Sequence, residues 1–200
     1  MSYLNKEVRR EKIFQAAVAI AYEKGLQAIT ARSVAEKAGI STGLMHHYFD
    51  SISILRAQAM FTIFDNALAR EKALSSTHSA YERLVNVVLG QDTPFKEGEL
   101  SCNQIWDEAL FLASRDPDMK EACTVGMEKW YEEIIAILIQ GRNNGEFQSE
   151  LANRDLAWQL IALSCGYEAI AVFKRTRLEP SEIKRQIEHV VQALLCVTKP

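Results

Sequence analysis

The residues able to do chemistry gather in one short run, Ser41-Thr42-Gly43-Leu44-Met45-His46-His47-Tyr48-Phe49. Its two imidazoles can bond base edges or phosphates, Leu44 can touch a thymine methyl, and Gly43 lets the backbone approach a groove closely. At about 100° per residue, Met45 and Phe49 share one helical face, and Gly43, Leu44, His46 and His47 share the other. Gly, Leu and two His suit a helix that reads DNA better than one that is merely solvated. The plain alternative is ordinary packing of two helices, with both histidines in water. The rest of the chain offers no nucleophile–base pair, metal-ligand spacing or phosphate loop. His46 and His47 are adjacent, so the i,i+4 pair of a helical metal site is absent. An enzyme with a helical ligand cavity is therefore the weaker reading, and no catalytic residue, cofactor or metal is expected.

A groove-reading helix needs neighbours that hold it. Thr30 can cap a helix on which Val34, Ala35 and Ala38 fall on one face. Gly39 suits the positive φ that ends it. Ile40 is expected to drop into the core, and Ser41 to cap the next helix. Residues of about 30–49 thus read as a DNA-binding helix-turn-helix. Before it, a helix is expected from about Lys6 to Lys24, with Ile13, Phe14, Ala17, Ile20 and Ala21 inside. Gly25 ends that helix, with Leu26 placed for the hydrophobic contact of a C-cap. Arg9, Arg10 and Lys12 lie at its start, where they either meet phosphates or form a solvated face.

Charge is distributed to match. The chain has 200 residues, 48% hydrophobic, and a net charge of −3. Residues 1–60 hold eight Lys/Arg against five Asp/Glu, leaving fifteen against twenty-one beyond. A basic head on an acidic body fits a DNA reader with a separate sensing and dimerising part. Cys102, Cys123, Cys165 and Cys196 form no C-x-x-C pair and read as reduced, buried small hydrophobes. Met1 to Glu11 is polar, without a signal-peptide core, and the apolar stretch Leu156 to Phe173 is interrupted by Gln159, Gly166 and Glu168. A cytoplasmic protein with no membrane partner is expected.

The remaining chain reads as six more helices. The fourth begins near Ser51, with Leu55, Ala59, Ile63 and Ala67 on one face, and ends before Ser75-Ser76. The others span about 80–89, 102–114, 117–142, 154–177 and 180–197. A loop with Pro94 fills residues 90–98, and Asn143 to Phe147 is a turn. The fold class is all-α with about nine helices, divided into a DNA-binding domain of residues 1–50 and a helical ligand-binding and dimerisation domain of residues 51–200.

The run from Thr30 to Phe49, with Ser41, Gly43, Met45 and Phe49 at their places, resembles the TetR/AcrR family of one-component transcriptional regulators. The form Thr42 to Phe49 looks more like its BetI-type branch. The resemblance is specific over about residues 8–60 and rests on helix order and length beyond. It implies a homodimeric repressor on a palindromic operator in double-stranded DNA, released by a small-molecule effector. Arg32, Thr42, Gly43, Leu44 and His46 are then candidates for base reading, and His47 and Tyr48 for phosphate contacts. The family commonly carries a phosphate-contacting Lys at the start of helix four, where this chain has Ile52.

By the same resemblance the last two helices build a four-helix dimer interface. Its candidates are Leu163, Gly166, Tyr167, Ile170, Ile187, Val191 and Leu194, with Leu160, Phe173, Val190 and Leu195 alongside; intramolecular core is the alternative for any of them. Gly166 would permit close helix approach. Effector-binding candidates are Trp106, Phe111, Met127, Trp130, Tyr131 and Trp158, of which Trp106 falls where BetI-like proteins also carry Trp. With Asp107 and Glu108 beside it, an aromatic–acidic pocket would suit a cation such as a quaternary ammonium. A DNA-binding dimer without any small-molecule ligand is the other reading.

Overall fold

The computed structural model describes residues 3–73, 77–90, 98–171 and 179–196. They form nine α-helices: α1 (Tyr3–Lys24), α2 (Ala31–Ala38), α3 (Thr42–Met45), α4 (Ile52–Ala73), α5 (Ala80–Leu89), α6 (Cys102–Ala113), α7 (Pro117–Asn143), α8 (Asn153–Ala171) and α9 (Pro180–Leu195). A 3₁₀ turn, Leu26–Ala28, joins α1 to α2, and no strand occurs among the described residues. The expected helix ends at Arg177 and Val197, Phe173, the Ser75-Ser76 break and Pro94 lie outside the described residues. No helix is long and apolar enough to cross a membrane among the described residues.

Local sequence sets most helix starts. Ser79 and Glu82 form a capping box on α5, and Ser101 and Gln104 form another on α6, each satisfying two otherwise orphaned backbone donors. Pro180 begins α9, where its missing N–H has no consequence.

The chain packs as two compact units, Met1–Asn66 with Thr93–Gly126 and Ala67–Asp92 with Met127–Pro200. In the first, α1, the 3₁₀ turn, α2 and α3 pack in series, and α6 lies against the 3₁₀ turn. Ile13, Leu26, Ile29, Val34, Met45, Leu55 and Ile105 form its core. The first unit therefore holds residues 1–50 together with most of α4, α6 and the start of α7.

In the second unit, α5, α8 and α9 pack against one another. Leu84, Val88, Ile137, Leu138, Leu156, Leu160, Val191 and Leu195 are its core. A buried ion network sits within it. The Arg83 guanidinium donates to Glu71 through Nε at 2.9 Å and Nη2 at 3.2 Å, to Glu133 at 3.0 Å and to Gln140 at 2.6 Å. Lys72 supplies a second cation to Glu133 at 2.8 Å. Burial raises the Glu71 carboxyl pKa despite Arg83. Farther on, the turn after α7 folds Phe147 back until its ring covers Gly141 and leaves no room for a Cβ.

Candidate nucleic-acid interface

The expected helix-turn-helix is built as its sequence dictates. Ser33 donates its backbone N–H to the Thr30 hydroxyl at 3.1 Å, and Thr30 N–H donates to Ser33 Oγ at 2.9 Å. Gly39, at φ 66°, lets Ile40 N–H turn back onto the Ala35 carbonyl at 3.0 Å, the Schellman closure of α2. Ser41 then caps α3 by accepting from Leu44 N–H at 3.3 Å. Regular α-helix ends at Met45, but the chain continues to coil. Tyr48 N–H donates to Met45 O at 2.9 Å and Phe49 N–H to the same oxygen at 3.2 Å. The expected face is thereby kept four residues beyond the helix.

Met45 and Phe49 are buried, at 0% and 4% exposure. Thr42, Gly43, His46 and His47 are exposed, Leu44 and Tyr48 are half-buried, and Arg32 is exposed on α2. All seven candidate residues are therefore exposed or half-buried, and none is core. Ile40, expected in the core, is half-buried, because the Gly39 turn brings it only to the edge. Arg10 lies over the Phe49 ring, 5.4 Å from its centroid, so this cation of α1 is held at the end of the recognition segment. Lys37 pairs with Glu23 at 2.6 Å on the surface. Ile52 begins α4 half-buried, and Ser51 caps that helix by accepting from Ile54 N–H at 3.1 Å.

Three polar residues that sequence reasoning missed fix the base of this motif. Glu108 of α6 accepts from Leu26 N–H at 2.6 Å and from Gln27 N–H at 2.8 Å. Arg56 of α4 donates to the Ile29 carbonyl at 3.0 Å. Asp116 accepts from Ser53 Oγ at 2.6 Å, tying α4 to the start of α7. Burial of Asp116 favours its neutral form, but Ser53, the Met119 and Asp118 N–H groups and Arg56 outweigh that and hold its carboxyl below the usual aspartate range. Gly25 at φ 87° gave a local hint of a tight turn, but nothing in the sequence pointed to a carboxylate 82 residues away.

The sequence and the fold match known proteins. The family model described as bacterial regulatory proteins, tetR family, covers residues 13–58, a span holding all seven candidate residues. The regulator BetI of Burkholderia thailandensis is 38% identical over 136 residues, 66% of this chain and 68% of that protein. The chain belongs to the tetR family. It is also 27% identical to the regulator PksA of Bacillus subtilis over 195 residues, 97% of this chain and 93% of that one. Among solved structures, a tetR-family regulator from a Rhodococcus species superposes with a TM-score of 0.75 at 23% identity, covering 94% of this chain and 99% of its own. A transcriptional regulator from Saccharomonospora viridis, solved in complex with choline, gives 0.78 at 20% identity, covering 96% and 100%. The tetR family and these relatives are transcriptional regulators, and the enzyme reading falls with that.

The effector candidates differ in burial. Trp106 and Trp130 are buried, and Met127 is half-buried. Phe111 is 62% exposed, and Trp158, 48% exposed, stacks on Tyr131 with centroids 5.1 Å apart. Glu108, beside Trp106 in the sequence, accepts from the Leu26 and Gln27 N–H groups. Asp107 is half-buried, and burial raises its carboxyl pKa.

The interface candidates divide likewise. Ile187 and Val191 are 2% and 0% exposed within the single chain, where α9 packs onto α5 and α8. Gly166 and Ile170 are exposed, and Leu163, Tyr167 and Leu194 are half-buried. Among the described residues, no atom comes within 4 Å of a Cβ placed on Gly166, so any close approach there is not intramolecular. Of the cysteines, Cys102 and Cys123 are buried as expected, and burial pushes the Cys123 thiol up to about 11. Cys165 is half-buried and Cys196 exposed, against expectation; Cys196 lies just past the end of α9, at φ 49°.

Proposed function

We propose that the protein is a ligand-responsive repressor that binds a palindromic operator as a homodimer and is released by a small molecule. The observation that carries the DNA-binding part is the outward surface of Thr42, Gly43, His46 and His47 over a core face of Met45 and Phe49. Arg32, Thr42, Gly43, Leu44 and His46 read bases, while His47 and Tyr48 meet phosphates. One such motif gives little affinity, and two on a twofold axis read half-sites about 34 Å apart. The partly exposed strip Leu163, Gly166, Tyr167 and Ile170 on α8, with Leu194 of α9, supports self-association.

Residues 1–50 act as the DNA reader and 51–200 as the effector-binding and dimerising part. Trp106, Trp130 and Met127 remain the effector candidates. The repressor reading draws on KstR2 of Mycobacterium tuberculosis, named a repressor and 28% identical over 156 residues. The choline complex of the Saccharomonospora viridis protein supports a small-molecule effector. Selection of duplexes from random sequence, followed by titration at several salt concentrations, tests the reading. A palindrome should be enriched, and affinity should fall steeply with salt. Absence of any enriched sequence, or salt-indifferent binding, would overturn it.

A further inference from the structure

One side of α1 faces α4 and the end of the recognition segment. At about 100° per residue, Glu7, Arg10, Glu11 and Phe14 share that side. With Phe49 and Phe61 they line a groove of about 400 Å³ within the first compact unit. That volume falls in the range of small-molecule sites, about 300–1,000 Å³. Phe49 is 4% exposed, Phe14 and Phe61 are half-buried, and both glutamates are exposed. The described lining includes none of the effector candidates Trp106, Trp130 and Met127.

The groove seats one cation, and that cation belongs to the chain. The Arg10 guanidinium lies over the Phe49 ring, 5.4 Å from its centroid. Attraction to the negative face of the ring holds it there, and at an exposed side chain that attraction is weak enough to exchange. Glu7 lies three residues before Arg10, and Glu11 follows it directly. Glu11 accepts from the Gln15 side-chain amide at 2.7 Å, which leaves a carboxylate with further acceptor sites. A second groove of about 300 Å³, between α4 and α7, shares Gln58 and Phe61 with the first, and its charged lining residues are Asp118 and Glu121. Among the described lining residues of the two grooves, four carboxylates stand against one guanidinium. A concave surface with that balance concentrates cations and repels anions.

We propose that the groove between α1 and α4 binds a small organic cation with a planar amidinium or guanidinium head and an apolar body. The head takes the place of Arg10 over Phe49 and donates its N–H groups to Glu7 and Glu11. The body lies against Phe14 and Phe61. Arg10 moves into solvent and takes with it the positive charge that opposes the ligand. This site is separate from the effector site of the repressor reading and does not depend on it.

Benzamidine is the probe, titrated into the full chain by calorimetry at constant salt. Benzamide keeps the ring and the shape without the charge, and benzoate reverses the charge. Benzamidine should fill one site per chain, and both analogues should bind at least about tenfold more weakly, the worth of a charge-assisted hydrogen bond. Arg10→Ala empties the seat and should raise benzamidine affinity about threefold, the strength of an exposed cation–π contact. Lys24→Ala, the same loss of charge at the far end of α1, should leave it unchanged. Glu7→Gln with Glu11→Gln should lower it about tenfold. Equal affinity for benzamide, or an affinity indifferent to Arg10→Ala or to the paired glutamine changes, would overturn the proposal.

A second measurement needs no variant. Intermolecular nuclear Overhauser effects should connect the benzamidine ring to the rings of Phe14, Phe49 and Phe61 in the parent chain. Contacts to other aromatic rings in their place would show that the probe binds elsewhere and would refute the site.

Discussion

His46 projects from the turn after α3 with its neighbours Met45 and Phe49 buried beneath it, so its removal leaves the fold untouched. His46→Ala should relax base preference at one operator position, at about 1–3 kcal/mol of discrimination. Specificity profiles from random-sequence selection check this, and identical profiles for variant and parent would remove His46 from base reading. Asp116 makes a different prediction at the same scale. Its carboxylate caps α7 through Asp118 and Met119 N–H and also binds Ser53. Asp116→Ala should cost about 1 kcal/mol for the cap alone. Because the folded-state pKa is depressed, the carboxylate's contribution is present above the ordinary value of 3.8 and is lost as pH falls below it through the folded value. The stability gap between parent and variant, measured by urea unfolding, should therefore be full at pH 7 and narrow toward pH 3. A gap independent of pH would show that the ionised form has no special role.

At the scale of elements, small residues decide where helices can meet or turn. Gly141 within α7 leaves room for the Phe147 ring, itself 4% exposed and unable to move outward without breaking its own packing. Gly141→Ala gains up to about 1 kcal/mol of helix propensity. It also forces a methyl into the Phe147 ring, and overpacking of that kind costs about 1–3 kcal/mol. The clash is severe enough for the loss to win, and the melting temperature should fall, by about 2–4 °C per kcal/mol for a chain of this size. Adding Phe147→Leu should recover part of the loss. An unchanged or raised melting temperature would mean that the ring relocates freely.

At the scale of the whole molecule, the exposed side of α8 is the place where a second copy would be felt. Ile170 is 41% exposed and follows Leu163, Gly166 and Tyr167 at helical spacing. Ile170→Arg should bring two like charges together across a twofold axis and shift sedimentation equilibrium toward a single-chain mass. A dimer unaffected by that change would place the interface elsewhere.

What the sequence determined by itself is what depends on near neighbours. The Thr30 and Ser41 caps, the left-handed Gly39 and the spacing of Met45 and Phe49 are local, and so the helix-turn-helix and its outward face were legible. The order of nine helices was legible for the same reason, since caps and apolar periodicity act within a few residues. Burial in the body was not. Ile187 and Leu194 share an apolar helical pattern, yet one is core and the other half-exposed, because only the packing of α5, α8 and α9 distinguishes their faces. Trp158 and Trp106 likewise look alike in sequence, and tertiary packing left one on the surface and sealed the other against Phe64 and Gly126. Glu108 and Arg56 were invisible as site residues because their partners are backbone groups. A backbone N–H or carbonyl has no residue type to read, and which side chain reaches it is decided only when distant helices come together.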